Sequence, residues 1–236
     1  MDPYRREMHL SLGCALENAV LIARSLGYAA EITTSDGLLQ EGGVRDDARP
    51  AASISLKKQP ASASPLAAAI SHRHTNRSPY QDRAIPSDLL HQFSALAGDA
   101  AVRLTWITDP AARRDFAAAT VAATETIVAD SVMIAVNDLY DRDAALRAGR
   151  LWQRLHLQGT LLGLGMQPLN QLPECVDRER QLGRPSSYRK TLAGFTGNAE
   201  WQPTFAFRVG WPTRPGPASP RRSLQSVVMP PNRADS

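Results

Sequence analysis

The sequence has only two cysteines, and they lie far apart. Cys14 and Cys175 form no Cys-x-x-Cys motif, and neither stands among other residues that commonly bind zinc. This pattern excludes a disulfide-stabilised scaffold and a structural zinc site. Low cysteine usage of this kind is typical of a reducing compartment, so we expect a cytoplasmic protein.

A long, uncharged apolar run is also missing. The most apolar long stretch, residues 116–136, contains Glu125 and Asp130. Acidic side chains are costly at the centre of a bilayer, and the first ten residues lack the apolar core of a signal peptide. We therefore expect no membrane span and no secretion signal.

The chain has little excess charge of either sign. It carries 27 basic and 23 acidic residues, a net charge of +4, and several of the unbalanced arginines lie in residues 212–236. The rest of the chain is nearly neutral, which argues against a broad nucleic-acid-binding face. A nucleic-acid-binding role would rest on the terminal arginines alone.

Apolar periodicity predicts alternating helices and short strands. The predicted helices cover residues 7–26, 64–72, 87–98, 110–130 and 144–164, and the predicted strands cover residues 29–34, 53–57, 102–107, 132–136 and 204–209. The first helix should bury Leu12, Leu16, Ala19, Val20, Ala23 and Leu26, and the last helix Ala148, Leu151, Trp152, Leu155 and Leu162. Residues 212–236 hold six of the 17 prolines and form an extension. We identify no internal repeat.

The densest polar cluster follows the helix predicted over residues 64–72. It reads His-Arg-His-Thr-Asn-Arg over residues 72–77, and its guanidinium, hydroxyl and amide donors suit a dianionic group such as phosphate. A solvated polar turn is the simpler interpretation of these residues alone. A His-x-His pair without further ligands is weak evidence for a metal.

Two further clusters lie later in the chain. Residues 163–171, Gly-Leu-Gly-Met-Gln-Pro-Leu-Asn-Gln, end a predicted helix with glycines that would let the backbone approach a planar ligand, or simply stop the helix. Arg221 and Arg222 could bind an anion or only add charge. The dinucleotide-binding, phosphate-loop, serine-hydrolase and zinc-protease motifs are all absent from the sequence.

Taken together, three segments resemble a known family. They are ISHRHTNRSPYQDRAIPSDLL, GRLWQRLHLQGTLLGLGMQPLNQ and FRVGWPTRPGPASPRRSLQSVV. In this order they resemble segments of the nitroreductase-like FMN-dependent oxidoreductases, over residues 64–228. The sequence of these segments is most similar to the Acg-like branch, whose chains carry two tandem nitroreductase-type halves. The stretch EMHLSLGCALENAVLIARSLGYAAEI looks like the end of a first half whose opening portion is absent.

The resemblance implies an α+β fold in which a central, mostly antiparallel sheet is flanked by helices. It implies three parts: residues 1–58 as the remnant of a first nitroreductase-like half, residues 59–211 as the FMN-binding domain, and residues 212–236 as the Pro/Arg-rich extension. A homodimer, or a missing first-half domain, would cover the apolar surface that the remnant leaves.

The resemblance also implies site residues. Arg73, His74, Thr75 and Arg77 match positions that hold the FMN phosphate and ribityl chain, and Arg222, with Arg221, matches a C-terminal phosphate contact. The loop beside the flavin ring corresponds to Pro168, Leu169, Asn170 and, less clearly, Gln171.

The implied activity is electron transfer from NAD(P)H through FMN to a small-molecule acceptor. FMN would supply the redox chemistry, so no catalytic residue of the protein is required, and we expect no metal. The incomplete first half and the short stretch of residues 130–143 leave an alternative open. In it, the protein binds or sequesters flavin without turnover, or is an inactive fragment.

Overall fold

The computed structural model describes residues 2–41, 50–120, 130–198, 200–218, 220 and 222–226. Within these ranges the helices are α1 (Arg6–Ser25), α2 (Pro65–Ala69), α3 (Ser87–Ala95), α4 (Pro110–Thr120), α5 (Arg142–Leu161), α6 (Gln171–Gln181) and α7 (Ser187–Thr196). The strands are β1 (Tyr28–Thr34), β2 (Ala52–Lys58), β3 (Val102–Ile107), β4 (Asp130–Val136), β5 (Gly165–Pro168) and β6 (Gln202–Gly210). No helix in the described part of the chain is long and apolar enough to cross a membrane.

The main sheet has four strands in the order β3-β4-β6-β5, and all neighbours are antiparallel. β6 lies inside the sheet, and its residues from Pro203 to Gly210 are buried. A separate antiparallel hairpin consists of β1 and β2. The predicted α+β class, with an antiparallel sheet and flanking helices, is confirmed.

Helix α5 is the centre of the molecule. The Asp141 side chain caps it by accepting a hydrogen bond from the Ala144 N–H at 2.6 Å, so the helix begins slightly earlier than predicted. On one face Trp152 packs on the rings of Phe205 and Phe207 in β6, with centroid distances of 4.9 and 4.5 Å. Another face of α5 contacts α1.

Several sequence-based boundaries were wrong. The helix predicted over residues 110–130 cannot reach its end, because Asp130 begins β4; residues 121–129 of it lie outside the described residues. Helix α3 begins at Ser87 itself, with Pro86 at the capping position. Helices α6 and α7 and strand β5 were missed, because α6 and α7 carry many polar residues and β5 has only four residues.

The predicted apolar face of α1 was also partly wrong. The helix buries Leu10, Gly13 and Leu21, whereas Leu12 and Leu26 are 37% and 68% exposed. The reason is the packing of α1 on α5. A side-chain carbon on Gly13 would overlap the carbonyl oxygen of Leu146. The two backbones touch, so the small residue, and not the leucine ridge, selects the buried face.

The contact between α1 and α5 is reciprocal. A side-chain carbon on Gly149 would overlap the carbonyl oxygen of Leu10, just as Gly13 faces Leu146. In the same way, Gln153 Nε2 donates to Asn18 Oδ1 at 2.8 Å. Arg154 Nη1 donates to Glu17 Oε2 at 3.0 Å. Each contact therefore has a counterpart with the two helices exchanged, which is the signature of an approximate two-fold axis.

The structure thus shows an internal repeat that the sequence analysis did not identify. Both helices have 20 residues, and Tyr4, Leu10, Gly13 and Leu21 recur as Tyr140, Leu146, Gly149 and Leu157. Each helix ends at a glycine with positive φ, 83° at Gly27 and 72° at Gly163, and a strand follows. That strand then pairs antiparallel with a later one, β1 with β2 and β5 with β6. The unit α1–β1–β2 is therefore a counterpart of α5–β5–β6.

Candidate functional site

The first polar cluster forms a bend just after α2. The Arg73 N–H donates to the Ala69 carbonyl at 3.0 Å, which closes the end of the helix. Three residues later the Asn76 N–H donates to the Met166 carbonyl at 3.0 Å. Because Met166 lies in β5, the bend is fastened directly to the second cluster of the sequence.

The chain after β6 runs along the same bend. The Thr213 N–H donates to the Pro79 carbonyl at 3.0 Å, and Asn76 Nδ2 donates to the Arg214 carbonyl at 2.9 Å. Gly216 lies so close that a side-chain carbon there would stand 3.1 Å from the Thr75 carbonyl oxygen. The start of the C-terminal extension is therefore attached to the bend.

Arg208 holds these segments together. Its Nε donates to Gln167 Oε1 at 2.8 Å, and its Nη2 donates to the carbonyl of Ser78 at 3.1 Å and, more weakly, to that of Arg77 at 3.4 Å. The guanidinium also lies 4.3 Å from the ring centroid of Tyr80. Burial lowers the pKa of Arg208, and the phenol of Tyr80 partly offsets this. Arg208 thus joins β5, β6 and the bend.

Arg73 contacts a buried histidine of α5. His156, which is 1% exposed, lies with Nδ1 3.3 Å from Arg73 Nη1 and Nε2 3.3 Å from the His74 carbonyl oxygen. Arginine can only donate, so His156 Nδ1 accepts a hydrogen bond from Arg73. His156 Nε2 therefore carries the hydrogen and donates to the His74 carbonyl. Burial, reinforced by the positive charge of Arg73, lowers the pKa of His156 to about 3.

This environment predicts a pH dependence of stability. His156 is neutral in the folded protein down to about pH 3, whereas the unfolded chain takes up its proton near pH 6.5. The unfolded state therefore binds more protons between these values, so stability falls as the pH falls through this window, by about 1.4 kcal/mol per pH unit. Urea unfolding of wild type and His156→Gln from about pH 6 to about pH 4 measures the difference. The wild type should lose stability more steeply, and parallel profiles would contradict the assignment.

The loop predicted to lie beside a ring follows β5. Pro168 ends the strand opposite Phe207, and the Leu169 N–H donates to the Ala206 carbonyl at 2.8 Å, with the Leu169 side chain in the core. Asn170 is buried, and its Nδ2 donates to Glu7 Oε1 of α1. Gln171 is exposed at the start of α6. Leu169 lies about 10 Å along the extended chain from Met166, where the bend is attached.

The predicted phosphate ligands occupy different surroundings. Arg77 is exposed on the bend, and Thr75 is half-buried. Arg222 is exposed in the C-terminal segment, beyond the residues fastened to the bend, and Arg221 lies outside the described residues. The structure thus brings together the bend, β5 and residues 211–216, which belong to the three segments singled out in the sequence.

The donor set at this junction fits an anionic ligand. One bend carries two guanidinium groups and a hydroxyl, the chemistry that binds a phosphate. Two buried ring nitrogens at the junction, Nδ1 of His74 and Nε1 of Trp211, have no hydrogen-bond partner within the described residues. Buried polar atoms are normally paired, so these atoms are candidates to contact a ligand.

Sequence reasoning missed the residues that hold the bend in place through long-range hydrogen bonds. Arg208 and His156 are single polar residues in otherwise apolar elements, TFAFRV and LWQRLHL, and that interruption was the available signal. Asn76 was noted only as a member of the polar cluster. Its position as the joint between bend, β5 and C-terminal segment depends on tertiary contacts that no local pattern reports.

Comparison with solved structures identifies the architecture. Nitroreductase A from Vibrio parahaemolyticus matches with a TM-score of 0.54 and 15% identity, over 74% of this chain and 79% of that one. The NADPH:FMN oxidoreductase from Vibrio harveyi, complexed with NAD+, matches with a TM-score of 0.53 and 14% identity, over 73% and 80%.

A nitroreductase with bound FMN from Bacteroides fragilis matches with a TM-score of 0.50 and 14% identity, over 70% of this chain and 97% of that one. No protein-family model and no curated protein sequence matches the chain. The strand order, the helices around the sheet and these structural matches agree, and the chain has the nitroreductase fold.

Proposed function

We propose that the protein is an FMN-dependent oxidoreductase of the nitroreductase type, which passes electrons from NAD(P)H to a small-molecule acceptor. One observation carries the proposal. Asn76 donates from its backbone to Met166 and from its side chain to Arg214, and so joins three segments far apart in sequence. These are the segments on which the resemblance to flavin enzymes rests.

The solved neighbours support the choice of cofactors. One is a nitroreductase with bound FMN, and another is an NADPH:FMN oxidoreductase complexed with NAD+. FMN with a nicotinamide donor is therefore the combination that we assign to this chain. The fold itself also hosts other functions in principle, so the assignment rests on the donor set of the bend as well.

In this proposal the chain binds and orients FMN. Arg73 and Arg77, with Thr75 and His74, hold the phosphate and ribityl chain, and Arg222, with Arg221, completes the charge from the C-terminal side. Pro168, Leu169, Asn170 and Gln171 lie along the flavin ring. When bound, FMN supplies the electron transfer, and the protein contributes position and electrostatics.

The Acg-like tandem organisation is part of the same proposal. The repeat of α5–β5–β6 in α1–β1–β2 supports the view that residues 1–58 derive from a first nitroreductase-like half. Helix α1 would then stand where a second unit faces the flavin loop, which fits the hydrogen bond from Asn170 to Glu7. Burial raises the pKa of the Glu7 carboxyl, the largest of several effects on it.

A second candidate function is flavin binding without turnover. It is favoured by the same contact, because Glu7 of α1 engages the side chain of Asn170 in the loop assigned to the ring. With α1 packed against this loop, the site would still bind flavin, but α1 would restrict the approach of a nicotinamide to the flavin ring.

Turnover distinguishes the two functions. The protein is equilibrated with FMN, and oxidation of NADH and of NADPH is followed by absorbance in the presence of a nitroaromatic or quinone acceptor. The proposal predicts oxidation that depends on protein, FMN and acceptor together. Stoichiometric flavin binding with no oxidation of either nucleotide would establish the second function, and a protein that takes up no FMN would refute both.

A further inference from the structure

A cleft lies between helix α5 and the connection from α3 to β3. It has a volume of about 610 Å³. One wall carries three arginines of α5, which are Arg147, Arg150 and Arg154, and the other wall comes from residues 95–100 and is mostly small and apolar. Spacings of three and four residues place the arginines along one side of the helix. A concave site with a few convergent polar groups is typical of small-molecule binding.

Two of the arginines share a single carboxylate. Arg150 Nε and Arg154 Nη1 both donate to Glu17 Oε2 of α1, at 2.9 and 3.0 Å. The Glu17 side chain is only 5% exposed, whereas that of Arg150 is 30% exposed. Two positive charges against one negative charge leave an excess of positive charge at this end of the cleft, and part of it faces solvent.

Arg150 also has donors that the fold does not use. A guanidinium carries its N–H groups in a planar fork. Among the described residues, Arg150 donates only through Nε, whereas Arg154 donates through Nη1 and, weakly, through Nη2 to the Leu96 carbonyl at 3.4 Å. Nη1 and Nη2 of Arg150 are therefore open to a ligand in the cleft. Two parallel N–H donors on one planar edge match two oxygens of a phosphate group.

The opposite end of the cleft limits the length of the anion. Arg147 Nε donates to Asp143 Oδ2 at 2.5 Å, and its Nη1 donates to Asp99 Oδ2 at 2.9 Å. One arginine is matched here by two carboxylates, so the local charge is negative. A single phosphate at Arg150 avoids these carboxylates, whereas a chain of phosphates extending along the cleft would be repelled by them.

The cleft is separate from the candidate flavin site. The approximate two-fold axis that exchanges α1 and α5 makes Cys14 the counterpart of Arg150, so these two residues lie on opposite sides of the axis. Burial raises the pKa of Cys14 to about 12, and the nearby charge of Arg73 in the bend partly offsets this. The bend therefore lies on the Cys14 side of the α1–α5 interface, and the cleft lies on the other side.

We propose that the cleft is a second small-molecule site, which binds the phosphate group of a phosphomonoester at Arg150 and Arg154. The uncharged body of the ligand lies against the small, apolar wall of residues 95–100. The site is independent of the flavin chemistry proposed above, and it would remain if the protein bound no flavin.

Isothermal titration calorimetry of the flavin-free full chain tests the proposal, with AMP as the phosphomonoester. The wild type should bind AMP, should bind inorganic phosphate more weakly, and should not bind adenosine. Arg150→Gln removes the open guanidinium edge but leaves Glu17 paired with Arg154, so the variant should fold. It should lose at least about tenfold in affinity for AMP, because a charge-assisted contact is lost. Arg114→Ala removes an exposed arginine from α4, so it controls for net charge and should bind AMP as the wild type does.

Thermal unfolding provides a second measurement. A ligand that binds only the folded state raises the Tm, so the Tm of the wild type should rise with AMP concentration and that of Arg150→Gln should rise much less. A wild type that binds neither AMP nor phosphate would overturn the proposal, and so would AMP binding that Arg150→Gln leaves unchanged. AMP binding that is lost in Arg77→Ala instead would place the phosphate at the bend. Tighter binding of ATP than of AMP would contradict a site for a single phosphate.

Discussion

Replacing Arg6 with alanine should lower the free energy of unfolding by about 3–5 kcal/mol. Arg6 is fully buried, and its Nε and Nη2 donate to Asp177 Oδ2 at 3.1 and 2.8 Å. Its Nη1 also donates to the Thr204 carbonyl. Among the described residues, the substitution leaves the buried Asp177 carboxylate with one hydrogen-bond partner, the Tyr140 hydroxyl, which donates to Oδ1 at 3.1 Å. An uncompensated buried charge is the costliest outcome of breaking a buried pair.

Urea denaturation measures this loss. Arg114→Ala removes an exposed arginine from α4 and should change stability by less than about 0.5 kcal/mol. Arg6→Lys keeps the charge but cannot donate in the same forked geometry, so it should fall between the two. If Arg6→Ala were as stable as the control, the hydrogen bonds from Arg6 to α6 and β6 would not stabilise the fold as described.

The affinity for FMN should fall by about 10- to 100-fold for either Arg73→Ala or Arg77→Ala, and by roughly 10²- to 10⁴-fold for both. Each guanidinium is assigned a charge-assisted hydrogen bond to phosphate, worth about 1.5–3 kcal/mol. Arg77 is exposed, so its loss should leave the fold unchanged. Arg73 also contacts His156, so the stability of its variant is measured in parallel.

Fluorescence titration of FMN with each variant provides the affinities. Arg114→Ala serves as the control for a change in net charge and should bind FMN as the wild type does. Arg77→Lys retains the charge and should recover part of the affinity. A double variant that binds FMN with wild-type affinity would place the phosphate elsewhere on the molecule.

Much of the fold could be predicted from local patterns. Strand β3 has the predicted bounds, and the bounds of α1, β1, β2, β4, α5 and β6 differ from prediction by no more than three residues at either end. These elements have strong apolar periodicity or clear end signals, such as Gly27 after α1. Helices α6 and α7 lacked such signals, since their packing is decided by a few side chains such as Leu172 and Leu192.

The buried face of α1 and the repeat could not be predicted in the same way. Hydrophobicity alone favours Leu12 and Leu16 as core positions, but the close backbone approach of Gly13 to α5 rotates the helix away from them. The repeat preserves the residues that make this approach possible and lets most others diverge. Its evidence is the reciprocity of contacts, which only a structure shows.

The candidate site could likewise be predicted only in part from the sequence. The polar cluster at residues 72–77 and the glycine-ended segment at residues 163–171 are local patterns that the sequence displays. That Asn76 joins them to Arg214, and that Arg208 and His156 support the bend, follows from contacts between residues far apart along the chain. Long-range contacts of this kind leave only a single unexpected polar residue as their trace in the sequence.

The most direct test of the central claim is an equilibrium titration of FMN with the purified wild-type chain, followed by flavin fluorescence. If the bend, the segment around β5 and the start of the C-terminal extension form one flavin site, the signal should saturate at one FMN per chain. A fluorescence signal that does not change at any protein concentration would show that these segments meet for another reason, and the assignment as a flavin oxidoreductase would be wrong.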